Sequence, residues 1–156
     1  MEKLLIGKRK DNLFGLPGGW LEKYEEFEDT ASRELFEETG LQLDKKKFKH
    51  IITLNCLYLN SDYHSLSVVM YTEIDDDERD QIYNKEPSKC MGWFWTDIEE
   101  CKKNKDRLFY PLWTMLEELP DLNDIKYLKK MSVINVYWIF YRILLIYNQN
   151  KIIKKH

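Results

Sequence analysis

Residues 18–41 read GGWLEKYEEFEDTASRELFEETGL, and the rest of the chain is read outward from them. The stretch holds Glu22, Glu25, Glu26, Glu28, Asp29, Glu34, Glu37 and Glu38 against only Lys23 and Arg33. Like charges at helical spacing repel by about 0.2–0.5 kcal/mol per pair, so the concentration of acids needs a reason. The pattern predicts a helix over 26–39, with acids in its first turn and Gly40 as its stop. At about 100° per residue, Glu34, Glu37 and Glu38 share one face. Phe27, Ala31 and Leu35 form an apolar stripe beside that face, which aims the acids into a cleft. Three carboxylates held together raise one another's pKa unless a cation neutralises them, and hard cations such as Mg²⁺ or Mn²⁺ suit oxygen ligands. Acid runs on helices are more often plain solvated surface. Two features count against that here: Arg33 sits among the acids, where its fork orients carboxylates, and Gly18-Gly19 lets backbone approach a metal or phosphate.

Upstream, Leu4-Leu5-Ile6 reads as a strand running into a loop through Pro17-Gly18-Gly19. Downstream, residues 48–59 and 66–74 read as strands, with Asn60-Ser61-Asp62 as the turn of an antiparallel hairpin. Residues 75–88 read as an acidic loop, and 91–95 as a short aromatic strand on which Trp93 and Trp95 share a face. That pair offers either a stacking surface for a base or plain core filling. Thr96 is expected to cap a brief helix beginning at Asp97, with Glu99 completing a capping box, and a last helix is expected over 110–119.

The 156 residues suit one main domain, 44% hydrophobic and 33% charged. A net charge of −3 argues against holding nucleic acid by bulk electrostatics. Cys56, Cys90 and Cys101 show no zinc-ligand spacing and fit core packing in a reducing, cytoplasmic setting. His50, His64 and His156 form no motif.

Counted from Gly19, the chain gives five residues, Glu25, seven residues, Arg33-Glu34-Leu35, one residue, Glu37-Glu38, one residue, and Gly40-Leu41. This resembles the Nudix box, complete and ungapped, and Leu16-Pro17-Gly18 resembles the usual approach to it. The resemblance implies an α/β (α+β) fold, an α/β/α sandwich around a mixed sheet, over a Nudix hydrolase domain at 1–120. It implies hydrolysis of nucleoside diphosphates linked to another group. It further implies that Glu34, Glu37 and Glu38 are metal ligands, one of them serving through a water as general base, and that the Gly18 carbonyl is a ligand. Arg33 would orient the glutamates within the catalytic set of Glu34, Glu37 and Arg33, and Glu25 would brace the box. Glu86 is the candidate for a further metal carboxylate, a solvated loop glutamate being the alternative. Mg²⁺, with Mn²⁺ as substitute, would neutralise phosphate oxygens and activate water.

Beyond the box, residues 86–95 with Leu108-Phe109, together with Asn55 and Tyr63-His64, resemble the MutT-type nucleotide triphosphate diphosphatase branch. Such enzymes yield a nucleoside monophosphate and pyrophosphate, sometimes from oxidised substrates such as 8-oxo-dGTP, and are often homodimers. Tyr58 resembles a tyrosine of diadenosine polyphosphate hydrolases, an alternative reading. A non-catalytic nucleotide-binding protein is the alternative of another class.

The chain departs from the family at three places. Tyr24 stands where a glycine is usual, so a left-handed backbone there would be strained. Glu26 stands where Ser or Thr commonly caps the helix. The usual first strand is expected to be lacking, which would leave an unpaired sheet edge and allows an incomplete gene product. Residues 121–156 form an extension with an apolar run at 133–147, short for a membrane span. A packed or peripheral helix, sequence never selected to fold, and membrane contact are the readings of that run.

Overall fold

The computed structural model describes residues 3–58 and 63–119. The elements in order are β1 (Leu4–Arg9), β2 (Phe14–Gly15), α1 (Phe27–Thr39), β3 (Lys49–Tyr58), β4 (Tyr63–Tyr71), α2 (Asp76–Arg79), β5 (Cys90–Thr96), α3 (Ile98–Lys103) and α4 (Tyr110–Glu118). Single 3₁₀ turns stand at Lys45–Lys47 and Lys105–Arg107. The expected turn at 60–62, the extension at 121–156 and its apolar run at 133–147 lie outside the described residues. Among the described residues no helix is long and apolar enough to cross a membrane.

β1 is central in a three-stranded sheet, hydrogen-bonded to β2 on one side and β5 on the other. β1 is thus paired on both sides, and β2 and β5 are the outer strands of that sheet. β3 and β4 pair as the expected antiparallel hairpin. The described strand pairs are all antiparallel, and the parallel component is one bridge between Phe14 and Leu108.

The two-residue period of a strand sorts neighbours into two cores. Leu5 and Ile6 go to opposite faces, as do Val69 and Met70 of β4. On one face Leu5, Trp93, Trp95 and Met70 pack with Leu35 of α1 and with Leu41, Leu43 and Phe48. On the other, Ile6, Leu54, Cys56 and Val69 pack with Ile98 and Cys101 of α3 and Leu112, Met115 and Leu116 of α4. Helix, sheet and helix thus form the layers of an α+β sandwich, as the resemblance implied. The three cysteines are buried and unpaired, in keeping with core packing. His50 bonds Thr53, and His64 bonds Asn55.

Three local expectations shift. Phe27 is 46% exposed, whereas Leu35 is buried. Steps of four residues drift by about 40° each, so a residue two steps back from Leu35 has rotated out of the core face. The buried line runs instead through Ser32, Leu35 and Thr39. Asp97, not Thr96, caps α3, its carboxylate accepting from the Glu100 N–H at 2.7 Å. The acidic loop contains the single turn α2, capped by Asp75.

Candidate active site

α1 begins without a Ser or Thr cap. Its first turn is closed instead by Asp29, which accepts from the Glu26 N–H at 3.1 Å, and Lys45 spans Glu26 and Asp29 at 3.2 and 2.8 Å. It ends at Gly40, where φ is 75° and the N–H bonds the Phe36 carbonyl at 2.9 Å.

Arg33 is the hub of the acid face. Its Nε and Nη2 donate to the two oxygens of Glu25 at 2.6 and 3.0 Å, a bidentate fork. Its Nη1 donates to Glu34 at 2.6 Å and to Glu37 at 3.3 Å, and Nη2 reaches the Trp20 carbonyl at 3.0 Å. Glu25 also accepts from the Thr30 hydroxyl at 2.7 Å and the Glu22 N–H at 3.0 Å. Arg33, then Thr30 and the Glu22 amide, hold the Glu25 carboxyl down at about 2. The bracing role implied for Glu25 therefore has a physical form: it fixes the guanidinium that fixes Glu34 and Glu37. Tyr24, next to it, does adopt the left-handed region, with φ of 73°, while its side chain is 91% exposed.

The glycine pair meets the other end of the helix. The Gly18 N–H donates to Glu38 Oε2 at 3.0 Å, at a φ of 151° that favours glycine. A Cβ on Gly19 would fall on the Glu34 carboxylate, so only glycine lets the backbone lie this close. Gly18 thus contributes its N–H to a glutamate. Burial pushes the Glu38 carboxyl up to about 7, with Glu34 and Glu86 adding repulsion against the opposing pull of the Gly18 amide and Lys89. Among the described residues no lysine or arginine is paired with Glu38.

Glu86 is brought there by a segment far along the chain. The Tyr83 and Lys85 N–H groups donate to the carbonyls of Thr39 and Glu38 at 3.0 and 3.1 Å, and Trp93 Nε1 donates to the Glu38 carbonyl at 3.2 Å. Carbonyls that a helix end leaves open are thereby satisfied, and residues 83–93 are tied to α1. The Glu86 side chain is 26% exposed and pairs with Lys89 at 2.8 Å. Trp93 and Trp95 face the α1 core, and the Trp93 ring lies over Gly7, so the pair is core filling rather than a stacking surface. The roles of Lys85, Lys89 and the Trp93 indole were missed in the sequence. Only the Glu86–Lys89 spacing of three residues hints at one of them.

Among the described residues, no three His, Cys, Asp or Glu side chains converge closely enough to hold a metal ion as they stand. The reason is visible in the pairs above: Glu34 and Glu37 turn to Arg33, Glu38 to Gly18 and Glu86 to Lys89. The donor chemistry nevertheless fits a hard cation. Glu34, Glu38 and Glu86 are oxygen donors within reach of one another's charge, and among the described residues Lys89 acts on Glu38 without pairing with it.

Comparison with known proteins bears on the family and the fold. The NUDIX domain family matches residues 1–118. Mouse nucleoside diphosphate-linked moiety X motif 6 is 30% identical over 94 residues, covering 60% of this chain and 29% of its own length. The chain thus spans less than a third of that relative. Among solved structures, a MutT NUDIX hydrolase from Burkholderia pseudomallei superposes with a TM-score of 0.54 at 23% identity, covering 62% of this chain and 74% of its own. A MutT/nudix family protein from Enterococcus faecalis gives 0.51 at 22%, covering 60% and 36%. The box, the sandwich and the match over residues 1–118 lead to one conclusion: this chain belongs to the NUDIX domain family.

Proposed function

We propose that this chain is a Nudix hydrolase that cleaves nucleoside triphosphates, oxidised ones such as 8-oxo-dGTP among them, to the monophosphate and pyrophosphate. The observation that carries the reading is Glu38, held by the Gly18 N–H beside Glu34 and Glu86, with no lysine or arginine paired with it among the described residues. Glu34, Glu37, Glu38 and Glu86 would hold Mg²⁺, or Mn²⁺ in its place. When bound, the metal supplies charge for the phosphate oxygens and acidifies water. The chain's own residues do the rest. Arg33 sets the directions of Glu34 and Glu37 through its fixed fork, and Glu25 holds Arg33. One of Glu34 and Glu37 takes a proton from the attacking water. The glycine pair keeps side chains out of the space where a phosphate chain approaches.

One feature weakens the diadenosine polyphosphate alternative. Tyr58 lies against the rings of Tyr63 and Tyr110 at 5.1 Å each, where it serves packing. Residues 1–120 would form the hydrolase domain, with 121–156 as an extension, in a cytoplasmic homodimer. Size-exclusion chromatography with light scattering tests the dimer. The test of function is phosphate release coupled to inorganic pyrophosphatase, with Mg²⁺, across NTPs, dNTPs, 8-oxo-dGTP and a diadenosine polyphosphate. Pyrophosphatase-dependent release from a triphosphate, lost in Glu37→Gln, is expected. Folded protein silent on every substrate would instead leave a binding protein.

A further inference from the structure

Residues 84–90 form a closed loop. Asn84 Nδ2 donates to the Cys90 carbonyl at 2.9 Å, and the N–H groups of Lys89 and Cys90 both donate to the Glu86 carbonyl at 3.0 Å. The Lys85 N–H fixes the loop to the Glu38 carbonyl. The backbone of Glu86 is therefore held while Lys89 is folded back onto its carboxylate at 2.8 Å. The two partners differ in freedom: the Glu86 side chain is 26% exposed, and that of Lys89 is 71% exposed. An exposed lysine pair is weak and easily exchanged. A divalent cation beside the same carboxylate carries twice the charge, and so is the stronger partner. Glu34 and Glu38 also act on the Lys89 ammonium, which places it at the rim of the acid cluster. Arg33 cannot change partners in the same way, since Glu25, Glu34, Glu37 and the Trp20 carbonyl hold its donors.

We propose that Lys89 is an exchangeable counter-ion: it neutralises Glu86 until a divalent cation takes that carboxylate, and its released ammonium then binds the phosphate chain of the substrate. Both steps rest on the reading above that Glu86 helps to hold a divalent cation; only the second rests on the nucleotide substrate.

The two steps predict opposite signs for one substitution. Lys89→Gln removes a competitor for Glu86, so Mn²⁺, titrated by electron paramagnetic resonance, is expected to bind about 3- to 10-fold more tightly. The same variant lacks the phosphate partner, so inorganic tripolyphosphate in the presence of saturating Mn²⁺ is expected to bind about 10-fold more weakly by calorimetry. The KM for a triphosphate should rise with it. Lys85→Gln is the control. Lys85 lies over the Phe36 ring at 3.4 Å, and its loss removes the same charge from the same loop with neither effect expected. Mn²⁺ affinity that is unchanged or weaker in Lys89→Gln overturns the counter-ion step. Unchanged tripolyphosphate binding overturns the phosphate step. Equal effects in Lys85→Gln overturn both, leaving only bulk charge. Neither binding readout needs turnover, so an absence of hydrolysis in the wild type would strike the proposed function and not these measurements.

Discussion

The two ends of α1 treat a glutamate in opposite ways. At the start, Glu25 meets the Arg33 fork, a threonine hydroxyl and an amide, and is held at about 2. At the end, Glu38 meets one amide, burial and two acidic neighbours, and is pushed up to about 7. The charge at the first end is balanced inside the protein. At the second, among the described residues, no lysine or arginine pairs with it, and Lys89 acts only from beside Glu86. The helix therefore carries a brace at one end and, on the function proposed above, a cation-binding end at the other.

The largest test of that contrast is Glu38→Gln. Hydrolysis should fall by about 100- to 1,000-fold, the scale of losing one preorganised charged group, while circular dichroism stays unchanged. Retained turnover would remove Glu38 from the binding end.

The next test is pH. A folded-state pKa near 7 against an unfolded value of 4.5 means that the folded protein binds the extra proton between those values. Stability in the presence of a chelator should therefore fall as pH rises from about 5 to 8, by up to about 3 kcal/mol, and level off above that. Denaturant titrations at stepped pH measure it. Added Mg²⁺ or Glu38→Gln should flatten the slope. Glu25 predicts the opposite slope, below pH 4.5, where protonation begins to cost the native state its Arg33 partner.

Gly19→Ala probes the junction between the ends. The new Cβ displaces the Glu34 carboxylate, and kcat/KM should drop about 10- to 100-fold with a smaller change in melting temperature. The smallest effect belongs to the brace itself. Tyr24 holds φ at 73° with an exposed side chain, so Tyr24→Gly should stabilise the protein by about 1 kcal/mol without altering activity. A loss of stability would mean that the tyrosine ring, not its backbone, matters there.

The box was legible in the sequence because its determinants are local. Helix spacing, the Gly40 stop and the glycine pair all act within a few residues of where they stand. The hairpin and the central strand were legible for the same reason, through short-range alternation. What the sequence did not carry was orientation between distant parts. Nothing in residues 83–93 says that their amides and an indole will close the end of α1. Periodicity puts Trp93 and Trp95 on one face without saying that the face is the core. Phe27 was misread because a stripe drawn in steps of four drifts off the buried line. Thr96 was misread because Asp97, one residue on, offers a better acceptor to the same turn. Glu86 was legible as a residue type in a loop; its nearness to Glu38 depends on the long-range clasp.

That clasp has a consequence for anyone moving the motif. A graft of residues 18–41 onto another scaffold would bring the brace intact, since Glu25, Arg33, Glu34 and Glu37 all lie within it. It would arrive without the Lys85 amide, the Trp93 indole and Glu86, which come from about fifty residues further along. The segment is thus half of a two-part device. A transplanted helix would keep its brace and leave its far carbonyls open unless residues 83–93 travelled with it.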